Sequence, residues 1–446
     1  MNWKKARRAA LSITILLSCF LLTGCFEALS VDDQSYPVAI GFDRGEARRF
    51  RVSLQIPEVK SSDSSEQKSG ITLITAEGDD LHSVKSMIDS STPWVINFSH
   101  VGYLIVSDEL ARSEAMEELL TDLPRFLELR QSNVLIIAKE SAEKFLEGLR
   151  TSDDTNPGRI LSDLMLEPNL TGKFPHSRLE EYNEALFSDC FDVAVALGAF
   201  NSAVSLENNE EEEKSQDSSG TSENSDVSSK KVTAADSDSS SPAQPLPENP
   251  EDTPAGSSPR TGGMESELSG CAVFVDGHMV GELNGRQTQL LQLGRGTFRQ
   301  GDITLDGLEN ARPLSVHLTQ RAMPSVSLDL SAPSPTAKIT LFVEASPYGG
   351  ITQDSEILNL YHPSEDSVIS QKIRDYLQNG LEEVEEICRQ LGCDLWGLGK
   401  YAVRHFAFVS QWEDYRWRSH FMKTEIQWNI ELSIVHPRVE FSQNQP

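Results

Sequence analysis

The chain has 446 residues, which is enough for two or three domains with separate buried cores. Its 68 Asp and Glu outnumber 39 Lys and Arg, and the resulting formal charge of -29 argues against nucleic-acid binding, because phosphates would repel such a polyanion. Apolar residues make up only 38% of the chain and aromatic residues 7%, so some stretch must lack core-forming side chains.

The first 25 residues are typical of a bacterial lipoprotein signal. Four basic residues precede an uncharged apolar run at 9–22, and the run ends in Leu22-Thr23-Gly24-Cys25. We expect residues 1–24 to be the signal peptide and Cys25 to be the lipidation site, with the acyl chains holding the protein on the outer face of the cell membrane. An uncleaved membrane anchor is the alternative, but the run is shorter than the ~20 residues that a span needs. Processing would change the formal charge from -29 to -33, since the signal carries four basic residues and no acidic ones.

Next in the chain, alternating strand and helix patterns predict an N-terminal α/β domain over 25–185. A hairpin is expected from the apolar segment at 38–42 and the period-two alternation at 50–56. The other predicted strands are 71–76, 101–106 and 133–139, and the predicted helices are 80–90, 108–122 capped by Ser107, and 142–149 capped by Ser141. Such alternation places helices against a sheet.

Residues 207–263 contain the stretch that is poor in core-forming side chains. The segment has 13 acidic and 4 basic residues, and no aromatic residue occurs between Phe200 and Phe274. It cannot bury enough apolar surface to offset the entropy of ordering, so a disordered acidic insert is predicted. Calcium binding is a poor alternative, because the run of glutamates at 210–213 lacks the oxygen spacing and glycine turn of an EF-hand loop.

Strand patterns flank this insert. Residues 191–200 are strand-like, and residues 270–283 predict a hairpin turned at Asp276-Gly277. We therefore predict a β-rich middle region at 186–206 and 264–310, with the insert looping out of a sheet edge. A bridge between Cys190 and Cys271 would link the ends of the insert, although free buried thiols are favoured for these two and for Cys388 and Cys393.

The last third of the chain predicts a C-terminal α+β domain over 311–440. An amphipathic helix is indicated by apolar residues every three or four positions, namely Ile369, Ile373, Leu377, Leu381, Val384, Ile387 and Leu391. Strict alternation at 426–434 predicts a half-buried strand that packs on this helix. Core packing is favoured over an exposed docking patch for Trp412, Trp417 and Trp428.

Together these segments resemble the Ger(x)C family, the lipoprotein C subunits of spore germinant receptors. The resemblance rests on the lipobox and on TAEG at 75–78, SHVGYLIVSDELA at 99–111, GCAVF at 270–274, LNG at 283–285, DLWGLG at 394–399 and the aromatic residues Trp412, Trp417 and Phe421. It implies a multi-domain α+β body of mixed sheets with packed helices. It also implies assembly with integral-membrane A-type and B-type receptor subunits in the spore inner membrane.

Motifs for catalysis or cofactor binding are not found. The sequence has no G-x-S-x-G, H-E-x-x-H or P-loop pattern, and its nine histidines are scattered. We therefore predict a non-enzymatic subunit of a nutrient germinant receptor, without a cofactor or a metal. The alternative is a nutrient-binding lipoprotein that delivers its ligand to a permease, which would need a concave site between two lobes with convergent polar groups. An envelope hydrolase would need a nucleophile, and none is apparent.

Overall fold

The computed structural model describes residues 3, 7–8, 11–14, 33–58, 70–126, 129–149, 157–165, 168–201, 252–305, 313–348 and 363–435. Within these ranges the chain forms an eight-stranded sheet and a four-stranded sheet, with helices packed on both. A short parallel pair is separate from both sheets and joins β1 (Gln34–Ser35) to β5 (Val95–Ile96). The predicted α+β class with mixed sheets and packed helices is confirmed.

The eight-stranded sheet has the order β10-β9-β8-β7-β6-β2-β3-β4. Its strands are β2 (Ala39–Arg44), β3 (Phe50–Glu58), β4 (Gly70–Gly78), β6 (Tyr103–Ser107), β7 (Val134–Ala138), β8 (Val193–Phe200), β9 (Ser266–Val275) and β10 (His278–Leu283). The four central strands β2, β6, β7 and β8 are parallel to their neighbours in that group, and the outer strands pair antiparallel. The central strands are almost continuously apolar, because helices cover both faces of this part of the sheet.

Helices form a layer on each face of the sheet. They are α1 (Leu81–Ser91), α2 (Asp108–Ala111), α3 (Ala115–Phe126), α4 (Ala142–Glu147), α5 (Pro157–Leu164) and α7 (Leu179–Leu186), whereas the short α6 (Pro168–Thr171) packs on the strand Gln300–Leu305 of the other sheet. Alternate residues of β7 enter two different apolar clusters: Leu135 and Ile137 pack with α1, α3 and α7, whereas Ile136 packs with α4 and α5. The sheet is therefore buried between two helical layers.

The four-stranded sheet belongs to the C-terminal part and has the order β11-β12-β13-β14. Its strands are β11 (Gln300–Leu305), β12 (Leu314–Asp329), β13 (Thr336–Tyr348) and β14 (Glu425–Ile434), and its helices are α8 (Gly285–Arg295), α9 (Pro363–Leu391), α10 (Gly399–Ala402), α11 (Val409–Tyr415) and α12 (Trp417–Phe421). The predicted stripe of α9 is confirmed from Ile369 to Val384, where five apolar side chains are at most 1% exposed. Further along the helix, the fully buried residue is Cys388, while Ile387 and Leu391 are half-buried. The strand at β14 and its packing on α9 are also as predicted.

One apolar core connects the two sheets. Ala194 of β8 and Val273 of β9 belong to the same cluster as Leu290 of α8, Leu341 of β13 and Leu381 of α9. Trp412 and Trp417 are also buried in it, and Trp428 packs edge-on against Trp396, so core packing of the tryptophans is confirmed. A change in this core should therefore affect both sheets.

The strands predicted as a middle region complete the N-terminal sheet. β8 pairs in parallel with β7, and β9 and β10 continue the same sheet. The predicted boundary at 185 thus falls inside the structure that forms the eight-stranded sheet, and β11 pairs with β12 across the predicted boundary at 310. Local periodicity could indicate these strands but not their partners, because parallel pairing joins segments that are distant in sequence.

The predicted insert needs a correction at its C-terminal end and in its place in the sheet. Residues 207–251 lie outside the described residues, but residues 252–263 are described and contact the body: Ala255 is buried, and Glu267 accepts hydrogen bonds from the backbone of Gly256 and Ser258. Moreover, the segment connects β8 to β9, which are interior neighbours, whereas the edge strand is β10. Polar contacts of this kind leave no apolar signal in the sequence.

One predicted helix is interrupted. The segment 108–122 forms α2 and α3, and Ser107 makes no side-chain capping bond. The break occurs because the backbone N–H and the side-chain hydroxyl of Ser113 both donate to the carbonyl of Leu110, which ends the helical ladder. By contrast, Ser141 caps α4 as predicted by accepting from the backbone of Lys144.

Candidate functional site

The predicted lipidation site, Cys25, lies outside the described residues. The structure shows instead how the chain is held shortly after it: β1 pairs with β5, and the Asn97 backbone N–H donates to the carbonyl of Ser35 at 2.9 Å. The Asn97 side chain also donates to Gln34 Oε1 at 2.7 Å. None of the helices in the described ranges has the length and apolar character required to cross a bilayer.

A buried polar junction joins the two sheets at Asp394, the first residue of the DLWGLG segment. Asp394 is 2% exposed, and its carboxylate accepts hydrogen bonds from the backbone N–H groups of Leu398 and Gly399, at 3.1 and 2.8 Å. The indole Nε1–H of Trp417 donates to the same carboxylate at 2.8 Å. These three donors fix the turn into α10 and place Trp417 in the core.

Asp192, just before β8, connects this junction to the eight-stranded sheet. Its backbone N–H donates to the carbonyl of Asp394 at 3.0 Å, and its carboxylate accepts from the backbone N–H of Asp394 at 2.7 Å. Arg418 donates to Asp192 at 2.9 Å and to Asp276, in the β9–β10 turn, at 2.7 Å. Asp192, before β8, and Asp276, between β9 and β10, both belong to the eight-stranded sheet. Both are thus bonded to the part of the chain between α9 and β14.

Burial raises the pKa of Asp394 from 3.8 to about 6, although the Trp417 indole and the two backbone N–H groups act in the opposite direction. Burial also raises the pKa of Asp192, and the adjacent Arg418 charge opposes this shift. At neutral pH Asp394 is ionised, which suits a carboxylate that accepts from three donors. The junction is therefore a hydrogen-bonded structural connection in which both carboxylates are occupied by protein groups.

We expect Asp394→Asn to flatten the pH dependence of stability between about pH 4 and 6. At these pH values the Asp394 carboxyl is protonated in the folded protein but ionised in the unfolded chain. Raising the pH across the window therefore lowers the free energy of unfolding, by on the order of 3 kcal/mol in total, and asparagine removes that contribution. Denaturant unfolding at several pH values measures the slope, with Asp276→Asn as the matched control. Parallel profiles for the native chain and Asp394→Asn would contradict the assignment.

A second polar contact joins residues after the insert to the C-terminal helices. Arg286 of α8 donates to Asp252 at 2.5 Å and to Glu383 of α9 at 2.6 Å, and Gln287 donates to Glu383 at 2.6 Å. Burial lowers the pKa of Arg286, but its two carboxylate partners more than offset this, so the pKa is raised above its usual value. The contact fixes Asp252 to the C-terminal helices.

A cavity of about 350 Å³ lies at one end of α1, beside the β2–β3 turn and α3. Its volume is in the range of small-molecule sites. Its charged groups are engaged within the protein, however: Arg49 pairs with Glu118, Asp79 pairs with Arg48, and Asp80 caps α1 by accepting from the backbone of Ser83. The cavity also lies on one sheet and not between the two.

The four cysteines in the described ranges are free thiols, as favoured from the sequence. Cys271 forms no disulfide with Cys190. Its sulfur accepts a hydrogen bond from the Thr288 hydroxyl at 3.3 Å, and burial raises the pKa of the Cys271 thiol to about 12. Over the described part of the chain, no three or more His, Cys, Asp or Glu side chains come together in a way that could hold a metal ion.

Sequence reasoning did not identify the junction as a unit. Asp394 belongs to the DLWGLG segment and Asp276 to a predicted turn, but no sequence pattern marks Asp192 or Arg418. Asp192 and Asp394 are 202 positions apart, so their contact depends on the complete fold.

Comparison with known proteins identifies the family. Residues 28–197 match the family described as "Spore germination protein N-terminal domain", and residues 269–438 match "Spore germination B3/ GerAC like, C-terminal". The chain belongs to the Ger(x)C family. This membership confirms the resemblance that the sequence motifs indicated, and the stretch between the two matched regions contains the predicted insert.

Individual Ger(x)C relatives are distant in sequence. Spore germination protein KC of Bacillus subtilis (strain 168) is 21% identical over 213 residues, which cover 45% of this chain and 52% of the relative. Spore germination protein B3 of the same organism is 22% identical over 173 residues, covering 38% of this chain and 45% of the relative. The chain thus spans about half the length of these curated relatives.

A solved structure shows the same fold over most of the chain. The crystal structure of the GerBC protein is similar with a TM-score of 0.50 and 12% identity, and the match covers 89% of this chain and 96% of that one. At this identity the similarity supports the Ger(x)C fold and leaves the function to be argued separately.

Proposed function

We propose that this protein is a lipid-anchored, non-enzymatic subunit of a nutrient germinant receptor. The observation that carries the proposal is that both halves of the chain match spore germination families, one on each side of the insert. In this proposal the protein is held at the outer face of the spore inner membrane. Its partners are integral-membrane subunits of the A and B types.

The lipobox supports a lipid anchor over a protein anchor, and the position of β1 places either kind of anchor close to the body. The sequence places Cys25 at the end of a lipobox, and the described chain is tied to the body from Gln34 onward, nine residues later. A chain held that close to its predicted anchor remains next to the membrane. Acyl chains would then supply the attachment, since two or more chains hold a protein stably on a bilayer.

The buried carboxylates support a structural role over a catalytic one. Asp394 and Asp192 resemble catalytic acids in their burial and raised pKa, but their oxygens accept from Leu398, Gly399, Trp417 and Arg418. A general acid needs a free position facing substrate. We infer that these groups hold the two sheets together for assembly with the membrane subunits.

Cys25→Ala is expected to abolish labelling by a fatty-acid analogue and to leave the precursor unprocessed, because the Cys25 thiol is the acceptor in the lipobox. The protein should then be lost from the lipid-modified fraction of the membrane. Metabolic labelling followed by electrophoresis measures both effects, with Cys190→Ala as the matched control, which keeps its label. Equal labelling of Cys25→Ala and the native chain would disprove the anchor.

The alternative, a nutrient-binding lipoprotein that supplies a permease, has the 350 Å³ cavity beside α1 in its favour. His82→Trp would obstruct that cavity, because His82 is an exposed residue of its wall, whereas Leu119 is buried in the core. Under the alternative, this variant loses calorimetric binding of the nutrient and reduces nutrient uptake in growing cells. Under the receptor proposal, nutrient uptake in growing cells is unchanged.

A further inference from the structure

Three large apolar side chains are exposed around the C-terminal end of α1. Met87 is 43% exposed, Trp94 45% and Val95 44%. The hydroxyl of Thr92 lies 3.1 Å from the carbonyl oxygens of both Ile88 and Trp94, so the loop after the helix is folded back on its last turn. We call Met87, Trp94 and Val95 the apolar patch.

The apolar patch is next to the place where the chain arrives from its predicted anchor. Val95 is the register partner of Gln34 in the parallel pair of β1 and β5. Cys25 and Gln34 are nine positions apart, and nine Cα–Cα steps reach at most ~32 Å. The acyl chains on Cys25 would therefore hold this patch within reach of the bilayer surface.

The chemistry of the patch suits the interfacial layer of a membrane. Tryptophan prefers this layer because its ring is apolar and its N–H is polar. The patch itself carries no charge, and the neighbouring charges on α1, Lys85 and Asp89, pair with each other at 2.5 Å. The exposed Asp33, next to Gln34, is a negative charge at its border. Most of the surface of a body with formal charge -33 would be repelled by anionic lipid, so an uncharged patch is where close approach costs least.

We propose that the apolar patch is a second membrane contact, which inserts Trp94 into the lipid headgroup layer and fixes the orientation of the body on its acyl anchor. The inference rests on the proposed lipidation of Cys25. An acyl anchor alone permits rotation about the linker, whereas two contacts beside the β1–β5 pair present a defined side of the protein to the membrane subunits.

The test uses the full chain, lipidated in cells and reconstituted into phosphatidylcholine–phosphatidylglycerol vesicles that contain a spin-labelled lipid with its nitroxide near the headgroup. Tryptophan fluorescence is compared for the native chain and Trp94→Phe. We expect the spin label to quench a component of the native fluorescence that is absent from Trp94→Phe. Met87→Ser with Val95→Thr should reduce that quenching at least twofold, whereas Val409→Ser, at a 73% exposed apolar position of α11, should leave it unchanged.

Flotation of the vesicles and fatty-acid labelling are measured on the same samples. If the chain floats and carries label but quenching is equal in the native chain and Trp94→Phe, the patch proposal is overturned and the anchor stands. If the chain is neither labelled nor floated, the anchor itself is overturned, and the patch proposal with it. If the lipid quencher does not reduce Trp94 fluorescence but addition of the membrane subunits shields Trp94 from solvent, the patch binds a protein partner. That result would overturn the lipid assignment.

Discussion

Replacing Leu381 with aspartate is expected to destabilise the core that both sheets share. Leu381 is fully buried in the core that connects the two sheets. An unpaired carboxylate there loses the apolar burial and gains a desolvation penalty, for a total of several kcal/mol. Since a typical domain is stable by only about 5–15 kcal/mol, most of the margin would be lost.

Glu382→Lys is the matched control for this variant. Glu382 is the next residue of α9, and it is exposed and bonded to Gln378 one turn away. Charge reversal at an exposed position should change stability by less than about 0.5 kcal/mol. Denaturant titration followed by circular dichroism compares the midpoints. Similar midpoints for Leu381→Asp and Glu382→Lys would show that α9 does not pack as described.

Gly399→Ala is expected to disrupt the junction between the two sheets. A Cβ atom at Gly399 would lie 2.1 Å from the carbonyl oxygen of Cys190 and 2.7 Å from Cδ1 of Trp417. Neither neighbour can move away easily, because one is backbone and the other is held by its bond to Asp394. We expect a loss of about 3 kcal/mol or more, which is at or beyond the upper end for overpacking by one methyl group.

Gly102→Ala provides the comparison, since no atom lies within 4 Å of a Cβ added there. This substitution should be neutral or slightly stabilising, because alanine reduces the freedom of the unfolded chain. Thermal unfolding of the two variants and of the native protein distinguishes the effects. An unchanged melting temperature for Gly399→Ala would mean that Cys190 and Gly399 do not meet, and the description of the junction would be wrong.

The sequence predicts those elements whose signals are local. The stripe of α9 follows a period of three to four residues and β14 a period of two, and both elements appear in the structure. β14 begins one residue before the expected segment, and α9 begins at Pro363, ahead of the first residue of the predicted stripe. The β2–β3 hairpin and the turn at Asp276-Gly277 are likewise local, because the turn residues and the alternating strands are adjacent in the chain. The rest of the architecture is expected only through the family resemblance, which implies an α+β body of mixed sheets with packed helices.

Features that depend on distant contacts were not predictable in this way. The pairing of β7 with β8 places the strands of the predicted middle region in the eight-stranded sheet. No local sequence pattern indicates that β8 pairs with β7 and not with another strand. Asp192 and Arg418 are ordinary charged residues until the fold brings them together. The packed residues at 252–263 are small and polar, so composition alone placed them in the insert. Cys25 remains a prediction from the lipobox.

The central claim, that the protein is a germinant receptor subunit, is tested most directly on purified spores. Spores that lack the gene, in a strain without a second copy of the receptor, would be exposed to nutrients and, separately, to a calcium chelate that triggers germination downstream of receptors. The account predicts that the nutrient response is lost, that the chelate response persists, and that the native gene restores the nutrient response while the Leu381→Asp gene does not. An undiminished response of the deletion spores to every nutrient tested would contradict the account.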